Sequence, residues 1–482
     1  MLKTVNPISA AVALALGLLG GMPDSAAWAQ STPAPATSAG TAESAPDLEA
    51  KLKELEAKIQ ELAAAVEALR KQSEPGDAAK IAELEKQIDA LTREIETLKL
   101  GEAATPTAGK SVHGLGPAAS KVYQVREGVS LGGYGEMTYR GFSGQEDSGT
   151  PSGMSDRLDL LRAVFYFGYK WNDKLLFNSE IEFEHATSGE GDEEKGEVSV
   201  EFAYLDFLVK KGFNARAGLL LLPVGIINEM HEPKTFPSVL RPAVETLIIP
   251  STWRENGAGV FGESRWLSYR AYLVAGLDAL GFSAEEGIRE GRQEGSNSLA
   301  NDFALTGRLD FTGIPGLLAG VSAYSGDSGQ GQISAGARVS LWDAHAQFQW
   351  RGLEGRGLWV RGSIADTAQI DQALEIFPGT GSGASVGEHL GGWYLQAAWD
   401  ILSTGAVHRQ SLAPFLRYEA FDTQEGVPAG FIENPALQQR IWTLGLSWKP
   451  IPQVAIKADY QDVDNAAGTG VDEFNVGLGW IF

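Results

Sequence analysis

Apolar and polar side chains alternate with a period of two at the end of the chain. The apolar face consists of Phe474, Val476, Leu478, Trp480 and Phe482, and the opposite face consists mostly of Glu473, Asn475, Gly477 and Gly479. This pattern predicts a β-strand with one apolar and one polar face. A transmembrane barrel accommodates such a strand because its outer face contacts lipid and its inner face contacts water. An edge strand of a β-sandwich is the alternative that the pattern leaves open.

The same period continues through residues 128–482. The segment from Ala163 to Glu184 predicts a hairpin with an apolar and a charged face. Similar segments occupy 268–277, 303–311, 333–341, 358–364, 393–401, 412–421, 442–448 and 454–460. Counting gives about seventeen strands, whereas a single-chain bacterial barrel with both ends in the periplasm has an even number. Because 333–350 is interpreted as one bulged strand, the sequence predicts an all-β, antiparallel transmembrane barrel of sixteen strands, with eighteen as the alternative.

Residues 47–100 instead follow a period of 3.5. One block of heptad positions comprises Leu48, Leu52, Leu55, Ile59, Leu62, Val66 and Leu69, and a second comprises Ile81, Leu84, Ile88, Leu91, Ile95 and Leu98. The pattern predicts an α-helical coiled coil, broken at Pro75 and Gly76. Two consecutive coiled-coil segments and a hairpin are both possible. The functional interpretation is oligomerisation by a coiled coil in the periplasm, and the alternative is a simple spacer.

The start of the chain has the three parts of a secretory signal peptide. Lys3 precedes an apolar stretch at 8–22, and Ala27-Trp28-Ala29 predicts cleavage after residue 29. Residues 30–46 are rich in Pro, Ala, Ser and Thr, which predicts a flexible linker. A second linker is predicted at 101–127. The predicted organisation is therefore signal peptide, linker, coiled coil, linker and barrel, the barrel occupying 128–482.

Composition excludes several classes of function. The net charge of -23 would repel nucleic acid, and the mean hydropathy of -0.12 fits a barrel whose inward residues are polar. The acidic stretch at 189–197 predicts a solvated loop rather than a metal site. We expect no metal and no cofactor. The six histidines are scattered, and none lies in a nucleophile motif, so we expect neither catalytic residues nor enzymatic activity.

Charged residues that alternate with the apolar face should point into the lumen, because a basic side chain on the lipid face costs about 2–4 kcal/mol near the midplane. The predicted pore-lining residues are Arg162, Lys170, Glu180, Glu182, Glu184, Arg216, Arg270, Arg308, Arg338, Arg361 and Arg417. Basic rows attract anions and acidic rows attract cations. Both are present, so the residues at the narrowest point would decide ion preference.

A long connection separates the apparent strands at 218–222 and 257–262. It carries five prolines together with bulky apolar residues, and a connection of this length inside a compact domain is usually functional. Its Leu-Pro-Val-Gly start and Arg-Glu-Asn-Gly-Ala-Gly exit resemble the phosphate-selective porin O and P family of the bacterial outer membrane. That resemblance covers the barrel and implies that the connection folds into the lumen and constricts the pore.

By this resemblance, the connection supplies a set of constriction residues. They are Glu229, His231, Glu232, Lys234, Arg241, Glu245, Arg254 and Glu255. The connection has acids beside its bases and no Lys cluster, which departs from phosphate selectivity. For any one of these residues, a salt bridge that ties the connection to the wall is an equally good interpretation.

The sequence thus predicts a porin for passive diffusion of small hydrophilic solutes or ions. A structural protein that links the barrel to the periplasmic cell-wall layer through its coiled coil is the alternative. The expected partners are outer-membrane lipid and lipopolysaccharide, the barrel assembly machinery and the cell wall. The resemblance also implies a homo-oligomer, with a trimer favoured.

Overall fold

The computed structural model describes residues 45–72, 80–81, 83–84, 86–88, 91, 111–187, 196–379, 383–403 and 410–482. The predicted signal peptide and nearly all of the first linker lie outside these residues, as does much of the second heptad block. Two compact units, divided after Ile95, make up the chain.

The first unit contains helix α1, Ala45–Gln72. The helix begins two residues before the predicted start of the coiled coil. Of its predicted seam residues, Val66 is buried, and Leu55, Ile59 and Leu62 are half-buried. Helix formation agrees with the heptad pattern, whereas association of the helix into a coiled coil stays a prediction. No described helix is long and apolar enough to cross a membrane.

The second unit is a closed antiparallel barrel of sixteen strands, each paired with its neighbours in the sequence and β1 paired with β16. This confirms the predicted fold class and strand number. The strands are β1 Gly128–Phe142, β2 Arg157–Asn172, β3 Leu175–Glu184, β4 Val198–Lys210, β5 Phe213–Leu221, β6 Arg254–Glu263, β7 Leu267–Ala275, β8 Phe303–Ile314, β9 Leu317–Gly326, β10 Val339–Trp350, β11 Leu353–Ile364, β12 His389–Trp399, β13 Ser411–Glu425, β14 Gln438–Ile451, β15 Val454–Asn465 and β16 Glu473–Ile481. A short helix α2, Thr367–Ala373, lies between β11 and β12.

Short and long connections alternate along the chain, except that the connection from β12 to β13 is long, so that short connections gather at one end of the barrel and most long ones at the other. We call these the turn end and the loop end. Two or three residues join β2 to β3, β4 to β5, β6 to β7, β8 to β9, β10 to β11 and β14 to β15, whereas the intervening connections are longer. This asymmetry is typical of periplasmic turns and extracellular loops. The barrel therefore starts and finishes at its turn end.

The outer face carries the apolar side chains that the alternation predicts. Phe165 is 50% exposed and Phe167 is 40% exposed on β2, and Val476, Leu478 and Phe482 are exposed at the end of the chain. The intervening residues point inward, where Glu473 and Asn475 are buried. Lipid would cover the outer face, so the exposed aromatic residues are stable there without a protein partner.

The hydrophobic core of this unit lies inside the barrel. Connections at the loop end supply much of it, including Trp253, Leu277 and Ile370, which are fully buried. The Trp253 ring lies 4.6 Å from the ring of Tyr324 on β9, measured between centroids. The lumen is therefore filled in part by apolar side chains, and some inward positions of the strands, predicted to be polar, are apolar as well.

Two residues that were predicted to line the pore do not point into the lumen. Leu358 and Val360 of β11 face inward and are buried in the core, so Arg361 lies on the outer face. Arg338 precedes β10 in a connection at the loop end, where its side chain is 59% exposed and pairs with Asp327 at 2.8 Å. The strand predicted to start at 333 starts at 339, and its pairing with β9 and β11 shows no bulge.

Residues 111–127 differ from the predicted linker. They enter the lumen at the turn end and form the 3-10 helix Ala119–Tyr123, whose residues are mostly buried. Asn178 of β3 donates to the carbonyl oxygen of Ala119 at 3.0 Å, and the Tyr123 hydroxyl donates to Asp206 of β4 at 2.6 Å. The small residues of this segment allow it to lie close to the wall. Small residues are also typical of linkers, so composition alone did not distinguish the two.

Candidate channel interior and constriction

The connection between β5 and β6, residues 222–253, lies inside the barrel. We call it the lumen connection. Its backbone N–H groups donate to inward carboxylates on three strands: Gly225 to Asp343 of β10 at 3.0 Å, Val239 to Asp459 of β15 at 2.6 Å, and Val244 to Glu419 of β13 at 3.3 Å. These strands stand at different positions around the wall, so the connection crosses the lumen.

Glu245 organises the first turn of the lumen connection. One of its carboxylate oxygens accepts hydrogen bonds from the backbone N–H groups of Ile226 and Ile227, at 2.6 and 2.7 Å. The other accepts from the hydroxyl of Tyr394 on β12 at 2.6 Å. Burial raises the pKa of Glu245. One carboxylate thus ties two distant parts of the connection to each other and to the wall.

A buried hydrogen-bond network on β8, β9 and β10 supports the first turn of the lumen connection. His345 lies between two carboxylates, with Nδ1 2.5 Å from Asp343 and Nε2 3.0 Å from Asp310. Arg308 binds Asp310 and the carbonyl oxygen of Gly225. Both imidazole nitrogens are occupied by these contacts, so the ring acts as a structural link. This role could not be predicted from the sequence, because the contact that joins the two strands, from His345 of β10 to Asp310 of β8, spans 35 residues.

Besides Glu245, three of the predicted constriction residues are anchors of the lumen connection. Glu229 pairs with Arg270 of β7 at 3.1 Å, His231 with Glu180 of β3 at 3.1 Å, and Glu232 accepts from the N–H groups of Ala118 and Ala119 at 2.7 and 3.2 Å. Burial raises the pKa of Glu232 to about 7. Glu232 therefore links the lumen connection to residues 111–127.

Two other predicted constriction residues do not lie on the connection. Arg254 and Glu255 are the first residues of β6. Arg254 pairs with Glu201 of β4 at 2.9 Å and with Glu294 at 3.0 Å, and Glu255 accepts a hydrogen bond from the N–H group of Gln293. Strand β6 begins at Arg254, before the predicted strand at 257–262, because backbone pairing with β5 does not depend on a side-chain pattern.

Most of the predicted pore-lining charges lie inside the barrel, but many are paired. Arg216 binds Asp206 through two hydrogen bonds of 2.7 and 2.9 Å, and Arg417 binds Glu419 at 2.7 Å. Arg162 lies 3.1 Å from Glu182. The inward set is Arg162, Lys170, Glu180, Glu182, Glu184, Arg216, Arg270, Arg308 and Arg417. Pairing reduces the charge that these residues present to a solute.

Two cavities lie against the lumen connection. The outer cavity, about 530 Å³, opens toward the loop end and is lined by Arg162 and Arg241 on one hand and Glu136 and Glu473 on the other. The inner cavity, about 320 Å³, lies toward the turn between β10 and β11, and its lining includes Lys234. Of the eight predicted constriction residues, Lys234 and Arg241 are those that line a cavity. Burial lowers the pKa of Lys234.

No group of three or more His, Cys, Asp or Glu side chains within the described ranges could hold a metal ion. The candidate site is a pair of cavities, lined by both charged and apolar side chains, beside an inserted connection. Its polar groups can hydrogen-bond to and attract a passing solute. Its pairs of opposite charge also hold the connection in place.

A closed barrel of sixteen strands with an apolar exterior and a charged interior defines an outer-membrane β-barrel of the porin class. No protein-family model matches the chain. An uncharacterized protein of Aquifex aeolicus (strain VF5) is 40% identical over 387 residues, which cover 79% of this chain and 86% of that protein. The chain belongs to the same family as this Aquifex protein.

Two solved structures of outer-membrane proteins are similar to the barrel. An anion-selective porin from Comamonas acidovorans is 11% identical and has a TM-score of 0.45, with 74% of this chain and 100% of that chain covered. The outer membrane channel DcaP of Acinetobacter baumannii is 11% identical and has a TM-score of 0.46, with 73% of this chain and 97% of that chain covered.

Proposed function

We propose that this protein is an outer-membrane channel for passive diffusion of small hydrophilic solutes or ions, and that the lumen connection constricts it. The observation that carries the proposal is the presence of cavities with charged lining residues on two sides of the connection inside a closed barrel. A protein that only anchors a periplasmic helix has no need of such cavities.

Charges at the outer cavity support a general channel. Arg162 and Arg241 stand in the same cavity as Glu136 and Glu473, so that anions and cations both find complementary groups. Phosphate is not proposed as a special solute, because the connection carries acids beside its bases. Arg241 contributes most to ion preference, since it lies on the connection and one of its terminal nitrogens is buried without a hydrogen-bond partner.

Planar-bilayer recording tests the proposal. Arg241→Ala should shift the reversal potential in a salt gradient toward cation preference, because it removes a positive charge from a narrow, partly dehydrated space. Arg361→Ala is the matched control, since it removes the same charge from the outer face. Deleting residues within 234–245 should increase single-channel conductance. Purified, folded protein that forms no channels would contradict the proposed function.

A structural protein that links the barrel to the cell wall is the second candidate. The extent to which residues 111–127 and the lumen connection fill the lumen favours it, because both restrict the open path. Cell-wall pull-down with and without residues 45–100 tests this alternative. Loss of cell-wall binding on deletion, together with absence of conductance in the full chain, would support the structural role over the channel.

The proposed partners follow from the proposal that the protein is an outer-membrane channel. A porin of this kind is inserted by the barrel assembly machinery and contacts outer-membrane lipid and lipopolysaccharide. We propose that the coiled coil lies in the periplasm, and the start of β1 at the turn end of the barrel supports this. A homo-oligomer, with a trimer as the first expectation, is testable by cross-linking of the purified protein.

A further inference from the structure

The outer and inner cavities meet at one aromatic side chain. Phe236 lines both of them, and among the described residues it is the one that the two linings share. Its side chain is 2% exposed. A path from the loop end to the turn end that follows these cavities is therefore interrupted at the Phe236 ring.

Neighbouring side chains hold the ring against the wall. The Lys457 ammonium of β15 lies 4.0 Å from the centroid of the Phe236 ring and donates to the carbonyl oxygen of Ser238 at 2.8 Å. Arg417 of β13 donates to the hydroxyl of Ser238 at 2.5 Å. A cation over an aromatic face is attracted to it, and more strongly where water is excluded. The wall thus fixes both the ring and the backbone beside it.

The backbone on each side of the ring is seated on strand β16. A Cβ added at Gly477 would lie 3.0 Å from Val239 Cγ1, and a Cβ added at Gly479 would lie 2.8 Å from Pro233 Cβ. The connection therefore contacts the wall where the wall has no side chains. Displacing this part of the connection would lose these contacts as well as the hydrogen bonds to β13 and β15. Rotation of a side chain loses much less.

We propose that the Phe236 ring is the partition between the two cavities and determines the largest solute that passes between them. The inference rests on the proposed channel function and adds its size-determining residue. The ring excludes solutes by its volume, and an apolar surface at a narrow point disfavours a continuous column of water. Passage requires the ring to turn away while the backbone of the connection stays on the wall.

Phe236→Ala tests the partition. The variant should raise single-channel conductance by about twofold or more and admit larger neutral sugars in a liposome-swelling assay, since it removes the ring from the path. Phe142→Ala is the matched control: Phe142 lines the outer cavity alone, so this variant should conduct like the wild type. Heat-modifiable migration on gels verifies that both barrels are folded.

A disulfide separates movement of the ring from movement of the connection. The chain has no cysteine, and a Cβ at Gly477 would lie 3.6 Å from Val239 Cβ, within the range for a disulfide. In Phe236→Ala combined with Val239→Cys and Gly477→Cys, the oxidised channel should keep the increased conductance. If oxidation returns conductance to the wild-type level and reduction restores the increase, the whole connection moves and the proposal is overturned.

The remaining outcomes separate this inference from the proposed function. A conducting wild type whose Phe236→Ala variant has the same conductance and the same sugar limit overturns the partition alone. A silent wild type with a conducting Phe236→Ala variant would contradict passive diffusion through the wild type, but would show that the ring closes the path and so support the partition. If folded wild type and folded variant are both silent, the channel function fails, and the partition fails with it.

Discussion

Replacing Glu232 by Gln should remove a specific part of the pH dependence of stability. The Glu232 carboxylate accepts from the N–H groups of Ala118 and Ala119, and its second oxygen is buried without a hydrogen-bond partner. Burial raises its pKa from 4.5 to about 7. The folded protein therefore binds this proton more tightly than the unfolded chain does. The stability gained from protonation is fully present below about pH 4.5 and is lost as the pH rises from 4.5 through about 7.

The size of this effect follows from the two pKa values. The difference between 4.5 and about 7, at about 1.4 kcal/mol for each unit, is on the order of 3 kcal/mol. Urea unfolding in detergent micelles, followed by tryptophan fluorescence at pH 5 and pH 8, measures it. The wild type should lose up to this free energy of unfolding between pH 5 and pH 8, relative to Glu232→Gln. The variant retains an acceptor oxygen for the two N–H groups, so its fold should persist.

Glu290→Gln is the matched control for this experiment, because the Glu290 side chain is 59% exposed. It should leave the difference between pH 5 and pH 8 unchanged. The reasoning would be refuted if Glu232→Gln kept the full pH dependence of the wild type. In that case the carboxylate is either hydrated or held with a normal pKa.

Three further predictions concern other parts of the molecule. Arg216→Met leaves a buried carboxylate of β4 without its partner, so the free energy of unfolding should fall by about 3–5 kcal/mol in urea titrations, and an unchanged midpoint would show that the pair is hydrated. Gly479→Val should cost about 1–3 kcal/mol through overlap with Pro233, measured in the same way, whereas Gly479→Ala should cost less. Leu55→Asp with Leu62→Asp should reduce chemical cross-linking into oligomers while the barrel stays folded, and unchanged cross-linking would assign assembly to the barrel.

The outer face of the barrel was predictable because lipid imposes one requirement on every strand. Phe165 and Phe167 follow it on β2, as does Leu478 on β16. The inner face imposes no such uniform requirement. Val360 points inward because apolar connections fill that part of the lumen, and this carries Arg361 to the outside. The alternation of a strand identifies its two faces, but deciding which one is inside depends on what fills the barrel.

The candidate site was predictable in its location rather than in its contacts. Length and proline content were sufficient to single out the lumen connection. The bond between Glu245 and Tyr394 joins residues 149 positions apart, and no local pattern encodes such a pair. The contacts of Ala119 and Tyr123 with the wall were missed for the same reason. Their partners on β3 and β4 follow later in the chain and carry no shared spacing.

Seating of the lumen connection on Gly477 and Gly479 has a consequence for the biogenesis of the barrel. Strand β16 is the last to be synthesised, and it closes the cylinder by pairing with β1. Its two glycines leave a shallow groove that receives Val239 and Pro233 from a connection made more than two hundred residues earlier. Docking of the connection onto β16 and pairing of β16 with β1 therefore stabilise each other. A barrel that closes over an undocked connection would be a trapped species that lacks part of its native contacts.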